Sequence, residues 1–250
     1  MTVAAKREDL PASFWLLPAA IRPKVHAFQR FARAADDIAS DPVMSPEVKL
    51  SRLVALDPRL LGPGSAEARQ ILAAYKCDAV RNRTPNWQDL LDYCTLAAVP
   101  IGRLLLSLHG AGVMAQAPCD RLCVALQVMS LIVDLRFHRR RFNRVYLPLD
   151  WLSEAGIGVG ALDAEEAGPE LRQVIDRLLD KVDEMLIEAT PLPWVVHGLR
   201  LKLETWAMIL LAKRLARRLR QLDPLRVAPA SRRTQMAGTF RGLLREVVGA

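Results

Sequence analysis

The chain has 250 residues, of which 51% are hydrophobic, and a formal net charge of +8 from 35 basic and 27 acidic residues. This length is enough for one large domain, or two small ones, with a sizeable core. The basic excess favours anionic partners such as diphosphates, acidic lipid surfaces or nucleic acid. Aromatic residues are only 6% of the chain and no nucleic-acid-binding motif is present, so we do not expect nucleic acid as a partner.

The N-terminal sequence, MTVAAKREDLP, has no apolar secretory core before its acidic residues and proline. No apolar run is expected to be long enough to span a bilayer. We therefore expect a cytoplasmic protein, with a peripheral position at the inner membrane surface as an alternative. The four cysteines lie in apolar surroundings and are predicted to be reduced core residues: Cys77, Cys94, Cys119 and Cys123.

Apolar residues recur at three- and four-residue spacing through most of the chain, which predicts an all-α fold. No clear strand alternation is present, and residues 143–157 are expected to form an extended segment that leads to a turn. The first helix is expected to begin near Pro18, or just after Pro23, and to run through Ile38. Ser45 precedes the second helix in a capping pattern, Ser-Pro-Glu-Val. Further helices are predicted at residues 65–83, 86–110, 117–141, 169–187 and 193–222.

The chain contains no internal repeat and no low-complexity linker, so we predict a single helical domain over residues 1–250. Its ordered core is expected at residues 8–228, followed by a basic tail, residues 229–250, with a short amphipathic helix near 239–247. Pro100 lies inside a predicted helix, where it removes a backbone hydrogen bond and is expected to cause a kink. Trp194 and Trp206 are predicted to be core residues.

Two predicted helices place acidic side chains among apolar ones: Asp36 and Asp37 in the first, and Asp134 in another. Asp36 lies on roughly the same helix face as Arg33 and Ser40, because residues three and four apart are neighbours. Acids on an apolar face are costly unless they meet a cation or hydrogen-bond donors. One interpretation is a buried salt bridge to an arginine. The other is a site in which carboxylates on two helices link Mg²⁺ to a diphosphate, beside an apolar cavity that shelters a carbocation.

Three stretches resemble the squalene and phytoene synthases, and most of all their bacterial hydroxysqualene synthase branch: LLPAAIRPKVHAFQRFARAADDIASDPVMSPEVKL, DLLDYCTLAAVPIGRLLLSLHG and ALQVMSLIVDLRFHRRRFNRVYLPLDWLSEAGI. The resemblance covers roughly residues 8–230, and RVYLPLDWL is its most diagnostic part. It implies an isoprenoid synthase helical bundle around a central apolar cavity. It also implies a role in squalene and hopanoid biosynthesis.

The resemblance implies roles for individual residues. Asp36, Asp37 and Asp134 would be catalytic and hold Mg²⁺, the implied cofactor, and Tyr93 would line the pocket of the cation intermediate. No nicotinamide cofactor is predicted. Binding of the substrate diphosphate is assigned to Arg33, Arg81, Arg144 and Tyr146.

Three positions depart from the family pattern. Ser40 replaces the last acid of the first motif, while Ser130 and His138 replace an Asn and an Asp of the second. Each lost carboxylate ligand would weaken charge stabilisation in the transition state by several kcal/mol. The basic run Arg136–Arg144 offers a substitute, because arginines bind diphosphate directly. Its alternative interpretation is a solvated helix end.

These observations leave three functions open. The first is an enzyme that converts presqualene diphosphate, derived from farnesyl diphosphate, to hydroxysqualene or squalene. The second is an impaired or non-catalytic relative that binds prenyl lipids or acts as a regulatory partner subunit of an intact synthase. The third is a divergent prenyltransferase acting on a shorter allylic diphosphate. An acidic membrane surface is a further candidate partner, through the amphipathic basic stretch Lys213–Arg226.

Overall fold

The computed structural model of the protein describes residues 18–226. This part of the chain folds into one helical bundle with a pair of short strands, which confirms the predicted all-α class. The predicted tail helix and the ends of the predicted domain lie outside the described residues. In chain order the elements are α1 (Arg22–Ala39), α2 (Pro46–Ala55), α3 (Ser65–Val80), β1 (Arg83–Thr84), α4 (Trp87–Leu108), α5 (Gln116–Val133), α6 (Leu135–Phe142), β2 (Val145–Pro148), α7 (Leu149–Glu154), α8 (Pro169–Glu188), α9 (Leu192–Val195) and α10 (Leu199–Gln221).

Local sequence signals set the starts of the first two helices. α1 begins at Arg22 with a proline in its first turn, where the missing amide hydrogen costs nothing. α2 follows Ser45, whose hydroxyl accepts a hydrogen bond from the Val48 amide at 3.4 Å. The predicted capping role of Ser45 is therefore confirmed.

The largest part of the core lies where α5 packs between α4 and α8. α4 and α5 approach each other closely at Gly102, where an added Cβ would lie 2.5 Å from the Cys123 sulfur. All four cysteines are free thiols, and Cys94 and Cys119 are buried, as expected of reduced core residues. The other two cysteines are half-buried. α4 remains helical through Pro100.

Two helical stretches of the described residues are long and apolar enough to cross a bilayer, namely Trp87–Leu108 and Val113–Val133. The expectation that no such run exists was therefore wrong by this criterion. Both stretches pack against each other inside the bundle. A core helix that is surrounded by other helices needs the same apolar composition as a membrane span, so these two helices are weak evidence for membrane insertion.

Two of the predicted helices are interrupted. The helix predicted at 117–141 divides at Asp134, where φ is −93° and ψ is 11°. The helix predicted at 193–222 divides at Gly198, where φ is 82°, a conformation that glycine adopts without steric cost. The apolar spacing of the sequence continues across each break, so it did not reveal where the two helices are interrupted.

The structure adds one pair of short strands to the predicted all-α fold, and β2 lies in the segment predicted to be extended. β1 and β2 pair in parallel, and the Val145 amide donates to the Asn82 carbonyl at 2.9 Å. α3 therefore ends at Val80 and not at residue 83 as predicted. All four residues of β2 are buried, so its sequence lacks the alternation that marks a half-exposed strand.

The prediction that Trp194 and Trp206 are core residues was also wrong, because Trp194 is 79% exposed and Trp206 is 55% exposed. The core face of α10 is formed by other residues, including Ile209, Leu215 and Leu219. α10 carries apolar side chains on its outer face too, so the sequence pattern did not distinguish the buried face from the exposed one.

Candidate active site

A cavity of about 600 Å³ opens between α1, α3, α4, α5, α6 and β2. Polar and apolar side chains both line it, with Ile71, Ile101 and Leu131 among the apolar ones. Predicted site residues from distant parts of the chain meet here, and so do the three departures from the family pattern. They are Arg33, Asp36, Asp37, Ser40, Tyr93, Ser130, Asp134, His138, Arg144 and Tyr146.

The α1 wall of the cavity carries the predicted acid pair. Burial and the nearby Asp78 carboxylate raise the pKa of Asp36 to about 6. Ser40 partly opposes this shift, since its hydroxyl donates to Asp36 Oδ1 at 3.3 Å. Within residues 18–226 no ion pair joins Asp36 or Asp37 to an arginine, so the salt-bridge interpretation finds no support there. The wall therefore presents carboxylate oxygens to the cavity.

The opposite wall carries Ser130, Asp134 and His138 at the junction of α5 and α6. Asp134 is buried, with 3% of its surface exposed. Burial and the nearby Arg144 lower the pKa of His138 to about 3, so its imidazole is neutral at physiological pH. His138 Nδ1 is shielded from solvent without a hydrogen-bond partner among the described residues. Its ring packs edge-on against Tyr146 at 5.1 Å between centroids.

Asp78 of α3 lies at the floor of the cavity and was missed by the sequence analysis. Its carboxylate accepts hydrogen bonds from the hydroxyls of Tyr93 at 2.9 Å and Tyr146 at 2.8 Å. Arg144 Nη1 lies 3.7 Å from the same carboxylate, and Arg144 Nη2 donates to the Asp78 carbonyl at 2.7 Å. A single acid in the apolar helix sequence ILAAYKCDAV was the available signal.

The hydrogen bonds to Asp78 give three predicted site residues a structural role. The hydroxyls of Tyr93 and Tyr146 both point to Asp78 and lie 3.2 Å from each other. Arg144 is 6% exposed and already paired, so much of its charge is neutralised before any diphosphate arrives. Their assigned contacts with substrate stay predictions, but the structure gives all three a second role in joining α3, α4 and β2.

Arg81 does not line the cavity. Its side chain is half exposed and forms an ion pair with Asp89 at 3.2 Å. It borders a small neighbouring cleft, which Arg144 and Tyr146 also line. The structure therefore places Arg81 near Arg144 and Tyr146 at this cleft, but outside the cavity that Arg33 lines.

The basic run Arg136–Arg144 divides between two surfaces. Arg136 donates to the Leu225 carbonyl at 2.9 Å, and Arg139 forms an ion pair with Asp163 at 2.7 Å, so both hold neighbouring segments. Arg141, which the sequence analysis did not single out, lines the cavity beside Arg144. One part of the run is thus structural and the other faces the cavity.

Mg²⁺ binding depends on how the acidic side chains of the cavity are arranged. No group of three or more His, Cys, Asp or Glu side chains in residues 18–226 is arranged to hold a metal ion. Mg²⁺ needs fewer protein ligands when substrate is bound, since it is commonly held by one or two carboxylates together with phosphate oxygens and waters. Asp36 and Asp37 meet that need, because both line the cavity.

Comparisons with known proteins agree with this fold. The family model for squalene/phytoene synthase matches residues 64–238. Hydroxysqualene synthase of Sinorhizobium fredii is 30% identical over 88% of this chain and 82% of its own length. Hydroxysqualene synthase of Rhodopseudomonas palustris is also 30% identical, over 87% of this chain and 81% of its own.

Solved structures support the same architecture. The crystal structure of squalene synthase HpnC from Alicyclobacillus acidocaldarius superposes with a TM-score of 0.69 at 19% identity, covering 84% of this chain and 97% of that one. A dehydrosqualene synthase crystallised with a ligand gives a TM-score of 0.68 at 17% identity, over 94% and 90% of the two chains. The fold is therefore that of a helical isoprenoid synthase. The chain belongs to the squalene/phytoene synthase family, and within it is similar to hydroxysqualene synthases.

Proposed function

We propose that the protein is an enzyme that converts presqualene diphosphate to hydroxysqualene. One observation carries the proposal: a single cavity joins the α1 carboxylates to cationic side chains and an apolar wall. Its similarity to hydroxysqualene synthases over most of its length supports this choice of substrate.

In the proposed reaction the C–O bond to the diphosphate breaks and both bonding electrons leave with the diphosphate. The cyclopropylcarbinyl cation rearranges, and water adds to it with loss of a proton. This sequence balances without a reductant, whereas squalene formation would need a hydride donor. We propose no nicotinamide cofactor.

Arg33 and Arg141 would bind the diphosphate, because both line the cavity and Arg141 lies beside the buried Arg144. Mg²⁺ held by Asp36 and Asp37 would supply further positive charge as the diphosphate leaves. The aromatic faces of Tyr93 and Tyr146, 4.9 Å apart between centroids, would stabilise the cation. Apolar side chains such as Leu131 would limit the access of water.

A second candidate function is a prenyl-lipid-binding or regulatory partner subunit of an intact synthase. The opposite wall favours it, because only Asp134 supplies a carboxylate where Ser130 and His138 replace residues of the family motif. Loss of metal ligands there would lower the rate by orders of magnitude and leave the cavity able to bind a prenyl diphosphate.

The deciding experiment incubates pure protein with presqualene diphosphate, and separately with farnesyl diphosphate, in Mg²⁺ or in EDTA, without nicotinamide. We expect hydroxysqualene from presqualene diphosphate by mass spectrometry, at a higher rate with Mg²⁺. A folded protein that binds the diphosphate without turnover would support the partner subunit instead. Products that contain a shorter prenyl group would indicate the third function, a divergent prenyltransferase.

A matched variant isolates the altered motifs. Restoring two acids by Ser40→Asp and His138→Asp should increase Mg²⁺-dependent turnover if lost ligands limit the rate. An unchanged rate in an active protein would contradict the view that these positions limit catalysis.

We also propose that the protein works in the cytoplasm at the inner membrane surface. The proposed product is an apolar C30 alcohol that partitions into lipid, and the protein has a net charge of +8 that favours anionic surfaces.

A further inference from the structure

The outer face of α10 carries an exposed apolar stripe. Leu199, Leu203, Trp206 and Leu210 follow one another at spacings of four, three and four residues, which places them on one side of the helix. Their exposed fractions are 74%, 57%, 55% and 45%, respectively. Trp194, 79% exposed, belongs to α9, which packs against α10. We name these five residues the α10 face.

The α10 face is too regular to be scattered surface hydrophobicity. The opposite side of the same helix already supplies the core residues Ile209, Leu215 and Leu219. Single exposed apolar residues are normal on soluble proteins, but a contiguous group with two tryptophans marks an interaction surface. The feature that remains to be identified is the partner that covers it.

Charge around the α10 face indicates its partner. The same helical spacing continues beyond Leu210 with Arg214 and Arg217, both exposed, and Lys202 is exposed beside the stripe. Glu204, the only acid of α10, forms an ion pair with Arg200 at 3.2 Å. Within residues 18–226, Lys202, Arg214 and Arg217 form no ion pair, so basic charge borders the apolar stripe. Such a stripe matches a surface that has an apolar interior and anionic groups at its boundary.

We propose that the α10 face binds an anionic lipid bilayer. Leucine side chains would enter the acyl boundary, the tryptophans would lie at the headgroup level, and the basic residues would contact the phosphates. The C-terminal residues 227–250 are a poorer partner, because they contain four arginines and one glutamate and so share the charge of the face. A second copy of the chain would bring the same positive excess.

This inference deepens the proposed location at the inner membrane surface and does not depend on catalysis. The test is co-sedimentation of the full chain, without substrate, with vesicles of phosphatidylglycerol and phosphatidylcholine or of phosphatidylcholine alone. We expect binding to the anionic vesicles that weakens with salt. The variant Leu203→Ser with Trp206→Ser should lower the partition coefficient about tenfold or more.

Two further variants separate the contributions. Arg214→Gln with Arg217→Gln should also lower binding to anionic vesicles by about tenfold or more. The matched control is Val54→Ser with Leu60→Ser, which changes two exposed apolar residues, 68% and 85% exposed, in and just after α2. This control should bind as the unmodified protein does. Equal thermal unfolding temperatures would establish that all variants are folded.

Three outcomes would overturn the proposal. The first is that the full chain does not bind anionic vesicles. The second is that the Leu203 and Trp206 variant binds them as well as the control does. The third is a dimer seen by light scattering that the same variant dissociates while vesicle binding is absent, which would assign the face to a second copy of the chain. Turnover of presqualene diphosphate, measured separately in detergent, would show whether the proposed enzyme activity stands or fails independently.

Discussion

Asp78 and Arg144 form a buried ion pair beneath the cavity, with 8% and 7% of their side chains exposed. Arg144 contacts both the carboxylate and the main-chain carbonyl of Asp78, so the pair fixes the C-terminal end of α3 to β2. The hydroxyls of Tyr93 and Tyr146 also donate hydrogen bonds to the Asp78 carboxylate. Burial raises the pKa of Asp78, while Arg144 and the two hydroxyls oppose that rise. The cluster therefore joins three elements that form the walls of the proposed active site.

Asp78→Asn should lower the free energy of unfolding by about 3 kcal/mol, because it leaves the Arg144 charge buried without its partner. The matched control is Asp89→Asn, which breaks the exposed pair with Arg81 and should cost less than about 1 kcal/mol. Urea unfolding at pH 7.5 measures both. Equal losses in the two variants would show that the buried pair contributes nothing special.

Asp36→Asn should stabilise the protein at neutral pH. The folded pKa of Asp36 is about 6, against an ordinary value of 3.8, so the folded state carries an unfavourable charge above pH 6. We expect a gain of about 2 kcal/mol at pH 8 that shrinks as the pH falls from about 6 towards 3.8 and is nearly gone at pH 4, where the folded-state carboxyl is protonated and the unfolded-state one is about half protonated. Urea unfolding at pH 8 and pH 4 measures it, with the exposed Asp37→Asn as the control. A gain that is equal at both pH values would contradict this origin. Turnover should fall if Asp36 holds Mg²⁺.

His138→Gln should reduce the sensitivity of the protein to acid. The folded pKa of His138 is about 3 and its ordinary value is 6.5, so below pH 6.5 the unfolded chain binds a proton that the folded state excludes. The folded state therefore loses stability as the pH falls from 6.5 towards 3. The variant should be more stable than the unmodified protein by about 2 kcal/mol at pH 5, relative to their difference at pH 8. Thermal unfolding across this range tests it.

The control for that prediction is His197→Gln, which changes an exposed histidine. It should leave the pH dependence of stability unchanged. Parallel curves of unfolding temperature against pH for all three proteins would mean that His138 binds a proton in the folded state as readily as in the unfolded chain.

Gly102→Ala should lower the free energy of unfolding by about 2 kcal/mol, because the new Cβ would lie 2.5 Å from Cys123 Sγ and 2.9 Å from Cys119 Sγ. α4 and α5 would have to separate to accept it. Gly160→Ala is the control, since no heavy atom lies within 4 Å of its added Cβ. A calorimetric melting temperature that falls equally in both variants would contradict the close approach at Gly102.

Much of the helical framework was predictable from sequence because its signals are local. Ser45 as a cap and the apolar spacing of α1 and α4 depend only on neighbouring residues. The breaks at Asp134 and Gly198 and the strand pair were not predictable in this way, since the apolar pattern continues across both breaks.

The candidate site was likewise only partly predictable from the sequence. The family motifs identified Asp36, Asp37, Asp134 and their altered neighbours, and the structure places all of them around one cavity. The motifs did not reveal that Asp78 engages Arg144, because the two residues are 66 positions apart. They also assigned Arg81 to the diphosphate, but its side chain pairs with Asp89 outside the cavity.

The sequence by itself determined the helical class, the family and the identity of the altered acid motifs, because periodicity and motif spacing are properties of short stretches. The tertiary structure alone decided which side of each helix is buried. That choice depends on the neighbouring elements, so only packing could direct Arg141 into the cavity and leave Trp206 on the surface.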